Sequence, residues 1–144
     1  MRTRRATHHD AARISALIGS FTDDGTLLPR SEAFVAAHAP HFIVAEAGGQ
    51  VIGCVHLDEY APSLSELRSL AVDSAAHGTG VGRALVLATE ALAKKRGVAT
   101  LFAVSNDEVF FNRFGFAVRH IPELDRERSE VSRYKGVFAK DLTV

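Results

Sequence analysis

The chain predicts an α/β fold, and three observations predict it. β-Branched apolar runs alternate with segments whose apolar residues recur at helical spacing. Two of these runs, His41 to Ala47 and Gln50 to Tyr60, are joined by Gly48-Gly49, a hairpin signature. A third run, Glu66 to Val72, feeds a glycine-rich turn, Gly78-Thr79-Gly80-Val81-Gly82, that opens an amphipathic helix.

The elements follow in order. Thr3 to Ala6 reads as a first strand, and Thr7 and Asp10 stand at capping-box spacing before a helix from Asp10 to Ile18. A polar, glycine-bearing stretch runs to Pro29. Ser31 caps a second helix through about His38, and Pro40 ends it. The hairpin strands and Glu66 to Val72 come next. Val81, Leu85, Ala88 and Leu92 give the following helix its apolar stripe, and Lys94-Lys95-Arg96 before Gly97 supplies a cationic last turn and a glycine stop. Thr100 to Val104 is another strand. Asp107 to Phe114 is a short helix closing on Gly115-Phe116, and Tyr134 to Leu142 is a last strand. Repeats, linkers and low-complexity segments are absent from the sequence, and 144 residues suit one domain spanning 1–144.

Composition narrows the function. Seventeen basic residues balance seventeen acidic ones, so there is no polycationic field for nucleic acid or an anionic membrane. The sequence has no apolar run of bilayer length, and the N-terminal Arg2, Arg4 and Arg5 lead into polar residues rather than a signal peptide's apolar core. The one cysteine, Cys54, excludes an internal disulfide, and the expected compartment is the cytoplasm. Cys54 lies in a strand-like run and reads as a small buried hydrophobe. His8-His9 and the pair His38, His41 lack cysteine partners and the H-E-x-x-H pattern, so no metal is expected.

The glycine turn carries the chemistry. Each glycine frees the backbone to take positive φ and approach a bulky anion, and the helix behind it directs unpaired N–H groups and a positive dipole end at one spot. That is a site for phosphate. The G-x-G-x-G spacing differs from both the dinucleotide fingerprint and the P-loop, and the turn lacks the P-loop lysine.

Val72-x4-His77-Gly78-x-Gly80-x-Gly82 resembles the acetyl-CoA-binding motif of the GCN5-related N-acetyltransferase (GNAT) superfamily, usually V-x4-(R/Q)-G-x-G-x-(G/A), with His77 in place of the usual Arg or Gln. Phe110-Phe111-Asn112-Arg113-Phe114-Gly115-Phe116 is similar to the family's F-Y-x-x-x-G-F. The resemblance covers nearly the whole chain. It implies a central mixed, mostly antiparallel sheet flanked by helices, and acetyl-CoA as co-substrate. It also implies a cofactor site of Leu70, Ala71, Val72, His77, Gly78, Thr79, Gly80, Val81, Gly82, Arg83, Asn106, Phe110 and Phe111. The amides of Gly78, Gly80, Gly82 and Arg83 would carry the pyrophosphate. His77 could donate to phosphate, with binding that weakens above neutrality as it loses charge. Many members place a tyrosine where Phe111 stands and use it to protonate the departing thiolate. Phe111 cannot do so, and solvent is expected to serve.

Leu27-Leu28-Pro29-Arg30-Ser31, Glu66 to Val72, and Arg133-x-x-x-Val137 look like the acetyltransferase domain of N-acetylglutamate synthase, in its short, stand-alone form. That likeness implies an acidic amino acid as the amine substrate and a link to arginine biosynthesis. Arg30 and Arg133 would bind its carboxylates, with Arg68 a further candidate, because a guanidinium holds a carboxylate in two parallel bonds. Glu66 would take the proton from the attacking amine, and the Leu70 N–H would meet the oxyanion. Strand alternation would put Glu66, Arg68 and Leu70 on one face. Lys135 and Gly136 replace the Ser and Lys usual there, and the synthases' amino-acid-kinase domain has no counterpart, so arginine feedback by that route is not expected. Homodimers are common in the family. Two alternatives stay open: transfer to another small amine or a protein terminus, and a non-catalytic acyl-CoA sensor.

Overall fold

The computed structural model describes residues 1–124 and 136–142. Among them the strands are β1 (Arg2–Arg5), β2 (Phe42–Ala47), β3 (Gln50–Ala61), β4 (Leu64–Val72), β5 (Thr100–Ser105), β6 (Ala117–Val118) and β7 (Gly136–Asp141). The α-helices are α1 (Ala11–Gly19), α2 (Glu32–Ala37), α3 (Val81–Lys95) and α4 (Glu108–Asn112). One sheet takes the order β1-β2-β3-β4-β5-β7-β6. Its neighbours run antiparallel except β4 and β5, which are parallel. This is the mixed, mostly antiparallel sheet expected from the sequence.

Local chemistry sets the boundaries. The Asp10 carboxylate accepts the Thr7 N–H at 2.8 Å and both Arg4 η-nitrogens at 2.9 and 3.0 Å. The Arg4 guanidinium thereby holds Asp10 below the usual carboxylate range. The capping spacing is used, but it opens a single 3-10 turn, His8–Asp10, ahead of α1. The Ser31 hydroxyl accepts the Phe34 N–H at 3.0 Å and caps α2. Pro40 lies inside a second 3-10 turn, Ala39–His41, rather than ending the helix outright. β4 begins two residues before its expected start, at Leu64, while Tyr134 and Lys135 lie outside the described residues.

Helices α3 and α4 cover one face of the sheet, burying Val55, Leu57, Leu67, Leu85 and Phe111. Helices α1 and α2 cover the other, burying Ile14, Ile18, Val35, Phe42, Cys54 and Ala71. At the first interface a Cβ on Gly53 would lie 3.0 Å from both Val81 Cγ1 and Leu85 Cδ1. The start of α3 therefore rests directly on the β3 backbone.

Two irregularities position the site. Cys54 faces Ala71 and His56 faces Arg68, so Val55 alone opposes Ser69 and Leu70. Ser69 takes φ +56°, uncommon for a residue with a side chain. This β-bulge adds one residue to β4 and reverses its alternation. Leu67 faces α3, so Glu66 and Arg68 face α1 and α2. Past the bulge, Leu70 and Val72 pack on the α3 side. Leu70 thus does not share the face of Glu66 and Arg68, contrary to simple alternation. The second irregularity is a fork. β4 and β5 pair only at Leu64 with Thr100, Ser65 with Leu101 and Glu66 with Phe102, and beyond this they diverge.

Candidate active site

A cleft of about 900 Å³ occupies the fork. Leu67, Arg68, Ser69, Leu70 and Val72 form its β4 wall, and Ala103 to Asn106 form its β5 wall. Because β4 changes face at the bulge, this wall draws on both sides of the sheet. Phe21, Thr26 and Leu27, from the segment between α1 and α2, close a further side. The sequence reading missed Phe21 and Thr26 and gave Leu27, though part of the segment that carries the resemblance, no site role; a lone Phe21 in a polar stretch is the kind of signal that marks a covering residue.

The glycine turn forms one end. Asp73 accepts the Ala75 N–H at 3.0 Å and pairs with Arg13 at 2.8 Å, and Arg13 Nε also donates to the Val51 carbonyl at 3.0 Å. These contacts hold the Asp73 carboxyl below its usual range, the Ala75 N–H first. Gly78 and Gly80 take φ +77° and +87°, and Gly80 caps α3. The first bond into the helix runs from the Ala84 N–H to the Gly80 carbonyl at 3.0 Å. Helix geometry leaves the amides of Val81, Gly82 and Arg83 directed outward at the cleft. This donor set fits a pyrophosphate.

Gly80→Ala, forced into left-handed φ, should cost about 1–2 kcal/mol of local strain and raise KM for acetyl-CoA several-fold with little change in kcat. Steady-state kinetics at saturating amine will check it.

Other expected cofactor residues divide. His77, Arg83, Asn106, Phe110 and Phe111 line the cleft. The Ala71 side chain is instead buried on the α1 side, so only its backbone is available to a ligand. The Thr79 hydroxyl donates to the Ala76 carbonyl within the turn. His77 Nε2 lies 2.7 Å from the Val72 carbonyl and its ring stacks on Phe21. That contact commits one ring nitrogen of His77 to the backbone of the turn. Phe111 is 5% exposed and packs against Phe110, Phe116 and Phe138.

At the inner end of the fork lies a charged cluster on the α1 and α2 face. Glu66 is 3% exposed and its Oε1 is 3.7 Å from Arg68 Nη1. That nitrogen also lies 3.1 Å from Asp58 Oδ2. Arg68, expected to meet a substrate carboxylate, thus engages two carboxylates of the protein. His56, opposite Arg68, is buried, stacks on Phe42 with ring centroids 4.3 Å apart, and has no hydrogen-bond partner for Nδ1 among the described residues. Burial pulls its pKa down to about 4. The Arg30 guanidinium lies 5.2 Å from the Phe34 ring, which in turn lies 6.1 Å from His56. Arg30 does not line the cleft itself, and Arg133 lies outside the described residues. His56 and Asp58 also escaped the sequence reading, although polar residues at alternate positions of an apolar strand were the available signal.

Cys54 is fully buried, its thiol 3.6 Å from the Ser69 carbonyl, and burial pushes that thiol up to about 12. It braces the bulge and is no nucleophile. Among the described residues no group of three or more His, Cys, Asp or Glu is placed to hold a metal, and no helix is long and apolar enough to cross a membrane.

The family model for the acetyltransferase (GNAT) domain matches residues 38–118. An uncharacterised N-acetyltransferase of Chlorobaculum tepidum is 37% identical over 113 residues, covering 78% of this chain and 73% of that protein. The amino-acid acetyltransferase of Ralstonia nicotianae is 31% identical over 92% of this chain and 30% of its own length. The chain spans about a third of the length of the amino-acid acetyltransferases it matches. N-acetylglutamate synthase from Neisseria gonorrhoeae, complexed with coenzyme A and N-acetyl-glutamate, superposes with a TM-score of 0.89 at 29% identity, over 99% of this chain and 35% of that one. Rv2747 from Mycobacterium tuberculosis, solved with CoA, shares the fold end to end, with a TM-score of 0.89 and 23% identity over 99% and 100% of the two chains.

Proposed function

The chain belongs to the acetyltransferase (GNAT) family, and from that premise we propose that it moves the acetyl group of acetyl-CoA to the α-amino group of glutamate or a similar acidic amino acid. One observation carries the reading. The fork between β4 and β5 holds the glycine turn at its α3 side and Arg68 on its wall, and the buried Glu66, which does not itself line the cleft, sits behind Arg68 at the last β4–β5 pair, 3.7 Å from its guanidinium.

The turn and the first amides of α3 hold the pyrophosphate. The thioester then extends along the diverging strands toward the bulge at Ser69 and Leu70. An amine entering from the α1 and α2 face arrives as ammonium and must lose a proton before its lone pair can attack. Glu66 accepts that proton. A β4 amide at the bulge, most simply that of Leu70, donates to the oxyanion as the carbonyl becomes tetrahedral. The carbon–sulfur bond then breaks, and solvent protonates the thiolate. A thiol near pKa 8.5 is a tolerable leaving group, and Phe111 supplies no acid.

Arg30 and Arg133 are assigned to the substrate carboxylates, a role supported by the likeness to the amino-acid acetyltransferases and by the commitment of Arg68 within the protein.

The test is release of free CoA thiol from acetyl-CoA with a panel of amino acids, polyamines and peptides. Glutamate-dependent release is expected. Arg30→Ala and Arg133→Ala should each raise KM for glutamate by about 10-fold or more, the loss of a charged hydrogen bond, and leave KM for acetyl-CoA nearly unchanged. Release only with a non-acidic amine would discard the substrate and keep the reaction. Tight CoA binding without turnover of any amine would overturn both.

A further inference from the structure

Asp58 and Glu66 stand opposite one another across β3 and β4, and one nitrogen of Arg68 serves both. The shorter contact, 3.1 Å, goes to Asp58, whose side chain is 33% exposed; the longer, 3.7 Å, goes to Glu66, whose side chain is 4% exposed. We propose that Asp58 is a positioning residue for acetyl transfer, holding Arg68 back from Glu66 so that Glu66 stays basic enough to deprotonate the acceptor amine. This inference rests on Glu66 being the general base.

The reasoning is electrostatic. A buried carboxylate prefers its protonated form because water no longer solvates the charge, whereas a guanidinium in full contact reverses this by about 1–3 pK units. A base pinned to arginine would be too weak to take a proton from an ammonium group. Asp58 competes for the same nitrogen, and its own negative charge further favours protonation of Glu66. The charges that the described residues bring to this cluster can be named. β3 contributes His56 and Asp58, β4 contributes Arg68, and His38 and His41 stand at the end of α2 and in the turn that follows. β5 presents Phe102 opposite Glu66, which carries no charge. With His56 neutral at neutral pH, Arg68 is, among the described residues, a cation for which the two carboxylates compete.

Asp58→Asn keeps the size of the side chain and removes its charge. The experiment follows the side-chain carboxyl carbon of Glu66 by NMR through a pH titration, in the whole chain and without substrate. It then measures the acid limb of kcat/KM with acetyl-CoA and L-glutamate. The Glu66 midpoint is expected to fall by about 1 unit in Asp58→Asn, to return in Asp58→Glu, and to rise in Arg68→Gln. The acid limb should move with it. A midpoint unchanged in both Asp58→Asn and Arg68→Gln would overturn the proposal, whatever the rates do. Glu66→Gln separates the two layers. If it keeps turnover and the acid limb, Glu66 is not the base; if it is inactive while the Asp58→Asn midpoint stays put, only the role of Asp58 fails.

Discussion

Glu66→Gln is expected to reduce kcat by about 10²–10⁴-fold, the usual contribution of a positioned general base. The substitution keeps the length and shape of the side chain and its place beside Arg68, so KM for acetyl-CoA should hardly change. The glycine turn lies on the far side of the fork and does not involve Glu66. The effect should also depend on pH. Raising pH supplies more free amine, so the deficit of the variant should shrink at alkaline pH, where the proton to be removed is increasingly absent. A kcat within a factor of about ten of wild type at neutral pH would assign deprotonation elsewhere.

The second large effect concerns stability. His56 is neutral in the fold, with its pKa lowered to about 4 against 6.5 for the free side chain. Above pH 6.5 both folded and unfolded chains carry it neutral, and it costs nothing. As pH falls below 6.5 the unfolded chain takes up a proton that the folded chain refuses, so stability declines, and the decline levels off near pH 4. At 1.36 kcal/mol per unit the total is about 3 kcal/mol, of which about 2 kcal/mol is lost by pH 5. His41, also lowered by burial, adds in the same direction. The depressed carboxyls of Asp10, Asp73 and Asp141 act at lower pH, from their unfolded value of 3.8 downward. The windows therefore separate. Urea unfolding of wild type and His56→Phe between pH 7.5 and 4.5 isolates the contribution. Phenylalanine keeps the ring on Phe42 and removes both the titration and the unpartnered Nδ1. The variant should flatten the curve across this window, and two parallel curves would refute the account.

The contrast between what the sequence disclosed and what it hid follows from the range of the interactions. The hairpin at Gly48-Gly49, the Ser31 cap, the α3 stripe and the glycine turn are set by residues a few positions apart, so their chemistry is written locally. The bulge is not. Ser69 takes a left-handed φ because Val55 on another strand, and the packing on both faces, demand an extra residue in β4. No feature of Leu-Arg-Ser-Leu announces it, which is why Leu70 was expected on the wrong face. Nor does Arg68 declare its partner. Its selection of Asp58 depends on the β3 register, and Asp58 carries no motif. The glycine turn was thus open to sequence reading, while the cluster of Asp58, Arg68 and Glu66 needed the pairing of strands.

The close seat of α3 on Gly53 bears on how variants of this chain should be interpreted. Gly53 offers no side chain to a ligand, and a list of contacts would pass over it. Yet any added carbon meets Val81 and Leu85, the residues that begin the helix carrying the Gly82 and Arg83 amides. Pushing that end of α3 outward tilts its amides before it loosens the core. An upstream strand position thereby acts as the depth gauge of the nucleotide end, and a change there would register first as weakened coenzyme affinity in a protein that still folds.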